Sequence, residues 1–590
     1  MQPKYKSNWD LTLIYKSHND PRVEADLKKV EKAFSAFAKK YDSKDFYLKS
    51  ESALKKALKD YEQLEDLPYS KAYLYFHYQK DLNSQNQDLE AKLNKCQARL
   101  QHASNLIIFF PVQLAKITKA NQTKFLKSKV LSPYRYYLQS VFKRSAHTLT
   151  TAEEKIINLM HLPAHTLWVR SNENLVTQTI VDWQGQSIPI PSAAGKIPSL
   201  PTPERRSLHQ ALMLKLSELA TNSESELNAI VLHKKILDDL RHFKKPYEST
   251  TLSYQTDLAT VENLVKAVSN HFPLAHRFYR LKAKMLKLKS LTYADRAAEV
   301  GETKKKISFP EAIEIVKSAF RKVDPLYEEA FNNFLFKGQI DVNPQLGKRG
   351  GAYCSSQYGL PTYILLNHQP DFNSLLTLAH ELGHAFHGML SFQHQPPLYR
   401  DYTIATAEVA STLFENFVFD EVLPTLTPQE QVVALHNKIM GSVQTIFRQV
   451  ACFNFETELH TLIRERGHLT KEEMAALMNK HMKAYLGPAF KLTPEDGYFF
   501  VYWSHLRNFF YVYSYAFGEL ISNALYEEYK KDPKFKNKIK DFLSAGGSAS
   551  PEDIFLPLGL NVRDPKFFTR GLKKIEDDID KLERAIKSLK

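Results

Sequence analysis

Thr377-Leu378-Ala379-His380-Glu381-Leu382-Gly383-His384-Ala385-Phe386-His387 is the stretch on which the reading of this chain turns. The spacing predicts a helix from Phe372 to about Leu390, capped by Asp371. At about 100° per residue, His380 and His384 share one face one turn apart, as two imidazoles binding one ion require. Zinc suits imidazole nitrogen and accepts a tetrahedral site with one position open to water. Glu381, directly after the first histidine, points beside such an ion, where it can take a proton from water without being a ligand. Leu375, Leu376, Leu378, Leu382 and Phe386 make the remaining faces apolar, which predicts a buried helix. Buried histidines need partners.

Two histidines leave the site a ligand short. His387 also falls on the histidine face. The longer three-histidine pattern needs a glycine three residues after the second ligand and a histidine six after it. This chain has His387 and Leu390 there, which excludes that pattern. His387 is then either a group supporting a ligand or a core histidine. Downstream, Thr406-Ala407-Glu408-Val409-Ala410-Ser411-Thr412-Leu413-Phe414-Glu415-Asn416 reads as a second amphipathic helix. Glu408 sits among small residues that permit close helix packing and is the expected third ligand. Glu415, seven residues on, returns to the same face as a carboxylate supporting the site. One Zn2+ ion is the expected cofactor, on a donor set that also accepts cobalt or manganese.

Outward from this core the pattern is mainly α. Residues 1–165 read as successive amphipathic helices, with Leu27, Val30, Phe34 and Phe37 at helical spacing and Pro68 and Pro133 as breakers. Residues 166–205 change character. Thr177–Trp183 reads as a strand, Gln184-Gly185-Gln186 as a turn, and Ile188–Pro198 as a Pro/Ser/Gly-rich, non-helical boundary segment. Helices resume at Pro203, and residues 206–590 form a helical region that carries the metal site. Within it, Leu346–Cys354 is glycine-rich and Thr362–Asn367 reads as a strand, predicting a small β-sheet next to the histidine helix. Gly350-Gly351-Ala352-Tyr353 is either a plain loop or an extended edge for a substrate backbone, which strand addition would read without regard to side chains.

Hydrophobic residues make up 43% of the 590 and charged residues 25%, which excludes disordered and collagen-like classes. Cys96, Cys354 and Cys452 are odd in number and far apart, neither a disulfide framework nor a cysteine zinc site. They suit a reducing cytosol. The first residues lack the apolar core of a signal peptide, and Leu106–Val112 is too short to span a bilayer. The expectation is a cytoplasmic protein with no membrane partner. The net charge of +15 comes from 80 basic and 65 acidic residues that are interspersed. That reads as a solvated lysine-rich surface, with no nucleic-acid partner. A positive interior would favour acidic peptides.

With both helices in view, the sequence resembles the oligoendopeptidase F branch of the thimet oligopeptidase family. The resemblance rests on Trp9-Asp10-Leu11, Gly347-Lys348-Arg349-Gly350-Gly351-Ala352-Tyr353, the histidine helix, Ala407-Glu408-Val409-Ala410-Ser411 with Glu415-Asn416, and His505–Gly518. The first 340 residues match mainly in helical character and length. Phe517 stands where this branch commonly has Thr, and Ser504 where proline often precedes the histidine; both bear on subsite shape. The resemblance implies two helical lobes enclosing a deep substrate channel, a zinc endopeptidase, and short unstructured oligopeptides as substrates. A carboxydipeptidase on a similar fold is the alternative. It further implies His505 and Tyr513 as donors to the tetrahedral oxyanion. On one helix they would lie eight apart, about 80° around the axis. Tyr511 ranks below Tyr513 as a substrate contact, and Tyr515 is the tyrosine expected in the core.

Overall fold

The computed structural model describes residues 5–83, 86–301 and 305–589. It is mostly helical, as expected, and its described strands are five and short: β1 (Ile180–Trp183), β2 (Gln186–Pro189), β3 (Ile340–Asp341), β4 (Tyr353–Ser355) and β5 (Tyr363–Leu365). The chain forms two compact units, each drawn from three separated stretches. The first comprises Met1–Thr148, Lys305–Val422 and Leu525–Leu558; the second comprises Leu149–Lys304, Leu423–Ala524 and Gly559–Lys590. Both units thus draw on stretches far apart in sequence.

In the first unit, helix Pro21–Tyr41 shows how sequence sets position. Asp20 accepts a hydrogen bond from the amide of Arg22, and Pro21 occupies the first turn, where its missing N–H costs nothing. Leu27, Val30, Phe34, Phe37 and Tyr41 recur every three or four residues and are buried. Phe34, Phe37 and Tyr41 pack with Leu54, Leu58 and Phe110. Leu27 joins a neighbouring cluster with Trp9, Tyr15, Tyr78, Tyr363 and Leu365. Trp9 is fastened to the small sheet: its indole donates to the Ile364 carbonyl at 2.8 Å, and its amide to Asp341 Oδ2 at 3.0 Å.

That sheet has the order β3-β5-β4, with β3 parallel and β4 antiparallel to β5, so β4 is an edge. The glycine-rich segment before it is pinned by Lys348, whose buried ammonium contacts Asp341 Oδ1 at 2.7 Å and the Asn343 carbonyl at 2.7 Å. The sheet packs against the histidine helix, which runs Phe372–His394. Asp371 caps it by accepting from Ser374 N at 2.7 Å. The helix outlasts the expected end at Leu390 by one turn and stops just before Pro396 and Pro397. Leu375, Leu378, Leu382 and Phe386 are fully buried.

In the second unit, β1 and β2 form a hairpin whose Gln184-Gly185 turn has φ of 51° and 73°. Val181 and Trp183 are buried while Ile180 and Asp182 face out, the alternation expected of a half-buried strand. The next segment corrects the sequence reading. Ile190–Lys196 is a helix and Ile197–Ser199 a 3-10 turn. Pro191 and Pro198 each sit in a first turn, so they start helices here rather than break them. Helix Thr202–Leu240 follows, 39 residues long, with Pro203 in its first turn. No helix among the described residues is long and apolar enough to cross a membrane.

Candidate active site

The glutamate helix, Ile404–Val422, meets the histidine helix at Gly383. A Cβ on Gly383 would fall 2.7 Å from Ser411 Cα and 2.9 Å from the Ala410 carbonyl oxygen. Only glycine allows the two backbones this close. The approach brings Glu408 up to the histidines. Glu408 Oε2 lies 3.6 Å from His380 Nε2 and 3.9 Å from His384 Nε2. One ligand atom from each residue lies within 4.8 Å of the other two. These separations are too long for hydrogen bonds, so the three groups converge on a common point rather than on each other. Donors about 2 Å from one ion at tetrahedral angles stand roughly 3.3 Å apart, so the set fits a divalent cation. Two imidazoles and one carboxylate form a donor set that leaves a fourth position open.

Behind the ligands, His380 Nδ1 is hydrogen-bonded to Glu415 Oε1. That contact fixes which ring nitrogen faces the metal point. Glu381 is 6% exposed and stands apart from the three donors. In the metal-free protein, burial pushes its carboxyl up to about 7; the His380 charge works against this and the Glu408 and Glu415 charges add to it. Burial opposes a charged His380, but the hydrogen bond and charge of Glu415, with Glu381 and Glu408, lift it to about 9. Burial, then the neighbouring His380 charge, holds His384 well below its ordinary value. His387 lies outside the ligand group. Its ring stacks on Tyr402 at 3.6 Å and lies 5.1 Å from Phe542, and burial drives it down to about 3.

The β4 edge adjoins Glu381. The backbone amide of Cys354 acts on the Glu381 carboxyl, lowering its proton affinity. Gly351, at φ +78°, is exposed and Ala352 half-buried. The Tyr353 hydroxyl donates to Asp81 Oδ2 at 2.6 Å, which turns this side chain away from a free contact. Asn367 Nδ2 holds the Gly351 carbonyl at 2.8 Å.

His505, Tyr511 and Tyr513 belong to the second unit. They do not share one helix, contrary to the expected 80° relation. His505 is in a 3-10 turn, Ser504–Asn508; Phe509 and Phe510 follow at φ 39° and 61°; the next helix begins at Tyr513. Left-handed phenylalanines are strained and persist only where surroundings impose them. Here Glu456 Oε1 accepts from Phe510 N at 2.8 Å, and Thr250 donates to the Phe509 carbonyl at 3.0 Å. Arg507 is fixed by a buried pair with Glu226 at 2.7 and 2.9 Å. The turn joins the Tyr511 hydroxyl to His505 Nδ1, with the Tyr515 ring 6.0 Å from His505. Tyr513 is fully buried, its ring 6.2 Å from Tyr254 and 6.3 Å from Phe453. Glu456, Glu226 and Thr250 carry no local pattern that marks them in sequence.

Residues 202–574 match the model of Peptidase family M3, and residues 113–178 match that of Oligopeptidase F. The chain belongs to peptidase family M3. Among relatives of this M3 peptidase, oligopeptidase PepF of Bacillus subtilis (strain 168) is 26% identical over 531 residues, covering 88% of this chain and 79% of that one. An oligoendopeptidase F homolog of Lactococcus lactis subsp. lactis (strain IL1403) is 24% identical, covering 98% of this chain and 97% of the other. The crystal structure of oligoendopeptidase-F from Enterococcus faecium shares the fold, with a TM-score of 0.69 at 20% identity over 96% of this chain and 98% of that chain. M3 peptidases are metallopeptidases, and among the described residues the His-His-Glu group could hold a metal ion.

Proposed function

We propose that this peptidase is a zinc-dependent endopeptidase that hydrolyses internal bonds of short, unstructured oligopeptides. The observation that carries the reading is the convergence of His380, His384 and Glu408 beside a buried Glu381. The names of the relatives, oligopeptidase and oligoendopeptidase, support the substrate size and the internal cut. Bound by those three side chains, zinc would supply Lewis acidity, lowering the proton affinity of water and polarising a carbonyl.

The chain's own groups do the rest. Glu381, buried beside the three ligands, takes a proton from the attacking water and returns it to the leaving amine nitrogen. Glu415 holds the His380 ring through Nδ1. Gly351 and Ala352, with Tyr353 at the start of the β4 edge, offer backbone groups to an extended peptide, which binds them without regard to side-chain identity. His505, carried over from the resemblance, is the proposed donor to the carbonyl oxygen as charge grows there. Of the tyrosines, Tyr511 is the better partner for that role, because its hydroxyl is bonded to His505, whereas Tyr513 packs among aromatic rings. A cytoplasmic setting is part of the reading, supported by three unpaired cysteines.

Glu381→Gln tests the core of it. The variant retains a stoichiometric metal by elemental analysis and loses nearly all hydrolysis of internally quenched peptides. Retained turnover removes Glu381 from the proton-transfer role. Blocking the peptide C-terminus separates the two activities: an endopeptidase still cuts, and a carboxydipeptidase does not.

A further inference from the structure

Side chains along β4 and the residues just after it alternate between two faces. Ser356 points to the histidine helix: a Cβ on Gly388 would fall 2.7 Å from Ser356 Cβ. The alternate positions, Tyr353, Ser355 and Gln357, all meet helix Lys71–Leu82 or its N-cap residue, Ser70. Ser70 is hydrogen-bonded to Gln357, the Tyr78 and Ser355 hydroxyl oxygens are 2.7 Å apart, and Asp81 Oδ2 accepts from Tyr353 at 2.6 Å. The edge strand of the first unit is therefore gripped by a helix on each face.

Asp81 holds more of the chain than the other two. Its carbonyl accepts from Arg349 N at 2.7 Å, and the Arg349 guanidinium lies 3.4 Å from the same carboxylate oxygen that takes Tyr353. That carbonyl is one of those a helix end leaves without an intrahelical partner. His77 Nε2, one turn back, also stands 3.4 Å from Asp81 Oδ2. Asp81 is 7% exposed and lies in the last turn of its helix, where the helix dipole disfavours negative charge. Helix stability does not account for a buried acid there; the loop 268 residues further on does. One residue thus fastens both ends of the segment Arg349–Tyr353. Between them, a Cβ built on Gly350 or Gly351 would meet nothing within 4 Å, so open space flanks that backbone. Glycine loses the most freedom on ordering, and an unfastened Gly-Gly pair would sample many conformations.

We propose that Asp81 is a positioning residue for the substrate: through the Arg349 amide and the Tyr353 hydroxyl it holds Gly350, Gly351 and Ala352 in the one arrangement that an extended peptide pairs with. The inference rests on the reading above that this edge binds peptides. A loop ordered in advance spares the complex the entropy of fixing it, so Asp81 acts on binding rather than on the chemical step.

The full-length holoenzyme and its variants are assayed with one internally quenched peptide. Asp81→Ala raises KM roughly 10- to 100-fold, the loss expected of a charge-assisted hydrogen bond, and leaves kcat within about twofold. Asp81→Asn, which keeps an oxygen for the Tyr353 hydroxyl, recovers part of KM. Tyr353→Phe raises KM as well, and adding it to Asp81→Ala costs little more, because the two residues act as one unit. Metal content stays stoichiometric throughout. Peptides N-methylated at one backbone amide at a time give the readout that general destabilisation does not move. Measured by anisotropy on Glu381→Gln protein, affinity falls about 10-fold for methylation at the position that pairs with the edge, and adding Asp81→Ala shrinks that penalty. If Asp81→Ala melts early, Tyr353→Phe carries both comparisons. An unchanged KM in both variants, a fall in kcat at constant KM, or an N-methyl penalty that Asp81→Ala leaves intact overturns the proposal. Failure of the peptidase reading looks different: the wild type then cuts no peptide. The binding comparison still decides the role of Asp81 in that case, and peptides that do not bind at all decide against it.

Discussion

Gly383→Ala perturbs one atom at the point where the site is assembled. The added Cβ would lie 2.7 Å from Ser411 Cα, about 0.7 Å short of the 3.4 Å at which ordinary contact begins. Its other neighbours, the Ala410 carbonyl oxygen at 2.9 Å and Ser411 N at 3.1 Å, are backbone as well, so no side chain can swing aside. The helices must part. Overpacking of this kind costs about 1–3 kcal/mol, and alanine's better helix propensity returns about 1 kcal/mol. The fold therefore survives, losing roughly 0–2 kcal/mol. The metal site fares worse. Glu408 rides on the displaced helix, and a shift near 0.7 Å exceeds the roughly 0.2 Å within which ligand distances must hold. Metal affinity falls about 10- to 100-fold, as when a supporting residue is lost. The assay is competition for zinc against a chelating dye, with thermal midpoints of metal-free protein recorded in parallel. Affinity within twofold of wild type would refute the claim that Gly383 sets the reach of Glu408.

Glu408→Ala lowers the metal content of purified protein; a stoichiometric metal in that variant would pass the ligand role to another carboxylate, Glu415 being nearest to hand. Glu456 gives a pH signature in the second unit. Burial raises its carboxyl from 4.5 to about 8, against the pull of the Phe510 amide and Lys234. An acid raised in the folded state contributes stability that is full below pH 4.5 and lost as pH rises through 8. At about 1.4 kcal/mol per unit, the loss is several kcal/mol. Glu456→Gln keeps an acceptor for Phe510 N and removes the titration, so its urea midpoint changes less than wild type between pH 5.5 and 8.5. Parallel losses in the two proteins would contradict a neutral Glu456.

What the sequence made legible is what local periodicity encodes. His380 and His384 four apart, the Asp371 cap and the small residues around Glu408 are short-range patterns, and each landed on the element expected. The misreadings arose where distant residues decide. Pro191 and Pro198 look like breakers until they are seen to occupy first turns. The break after Asn508 depends on Glu456 and on Glu226, 281 positions from its partner Arg507. That break joins Tyr511, not Tyr513, to His505.

The anchoring of Trp9 has a consequence for how the molecule is made. Its indole acceptor, Ile364, is 355 residues further along, and Asp341, which receives its amide, is 332 residues along. A ribosome adding 5–20 residues per second needs roughly 20–70 s to produce those partners. Throughout that interval the aromatic cluster of Trp9, Tyr15 and Tyr78 lacks Tyr363 and Leu365, and its apolar surface stays open to solvent. The unit bearing the metal ligands also awaits Leu525–Leu558. Closure is therefore a late event of synthesis, and the apolar cluster around Trp9 is complete only after most of the chain has been made.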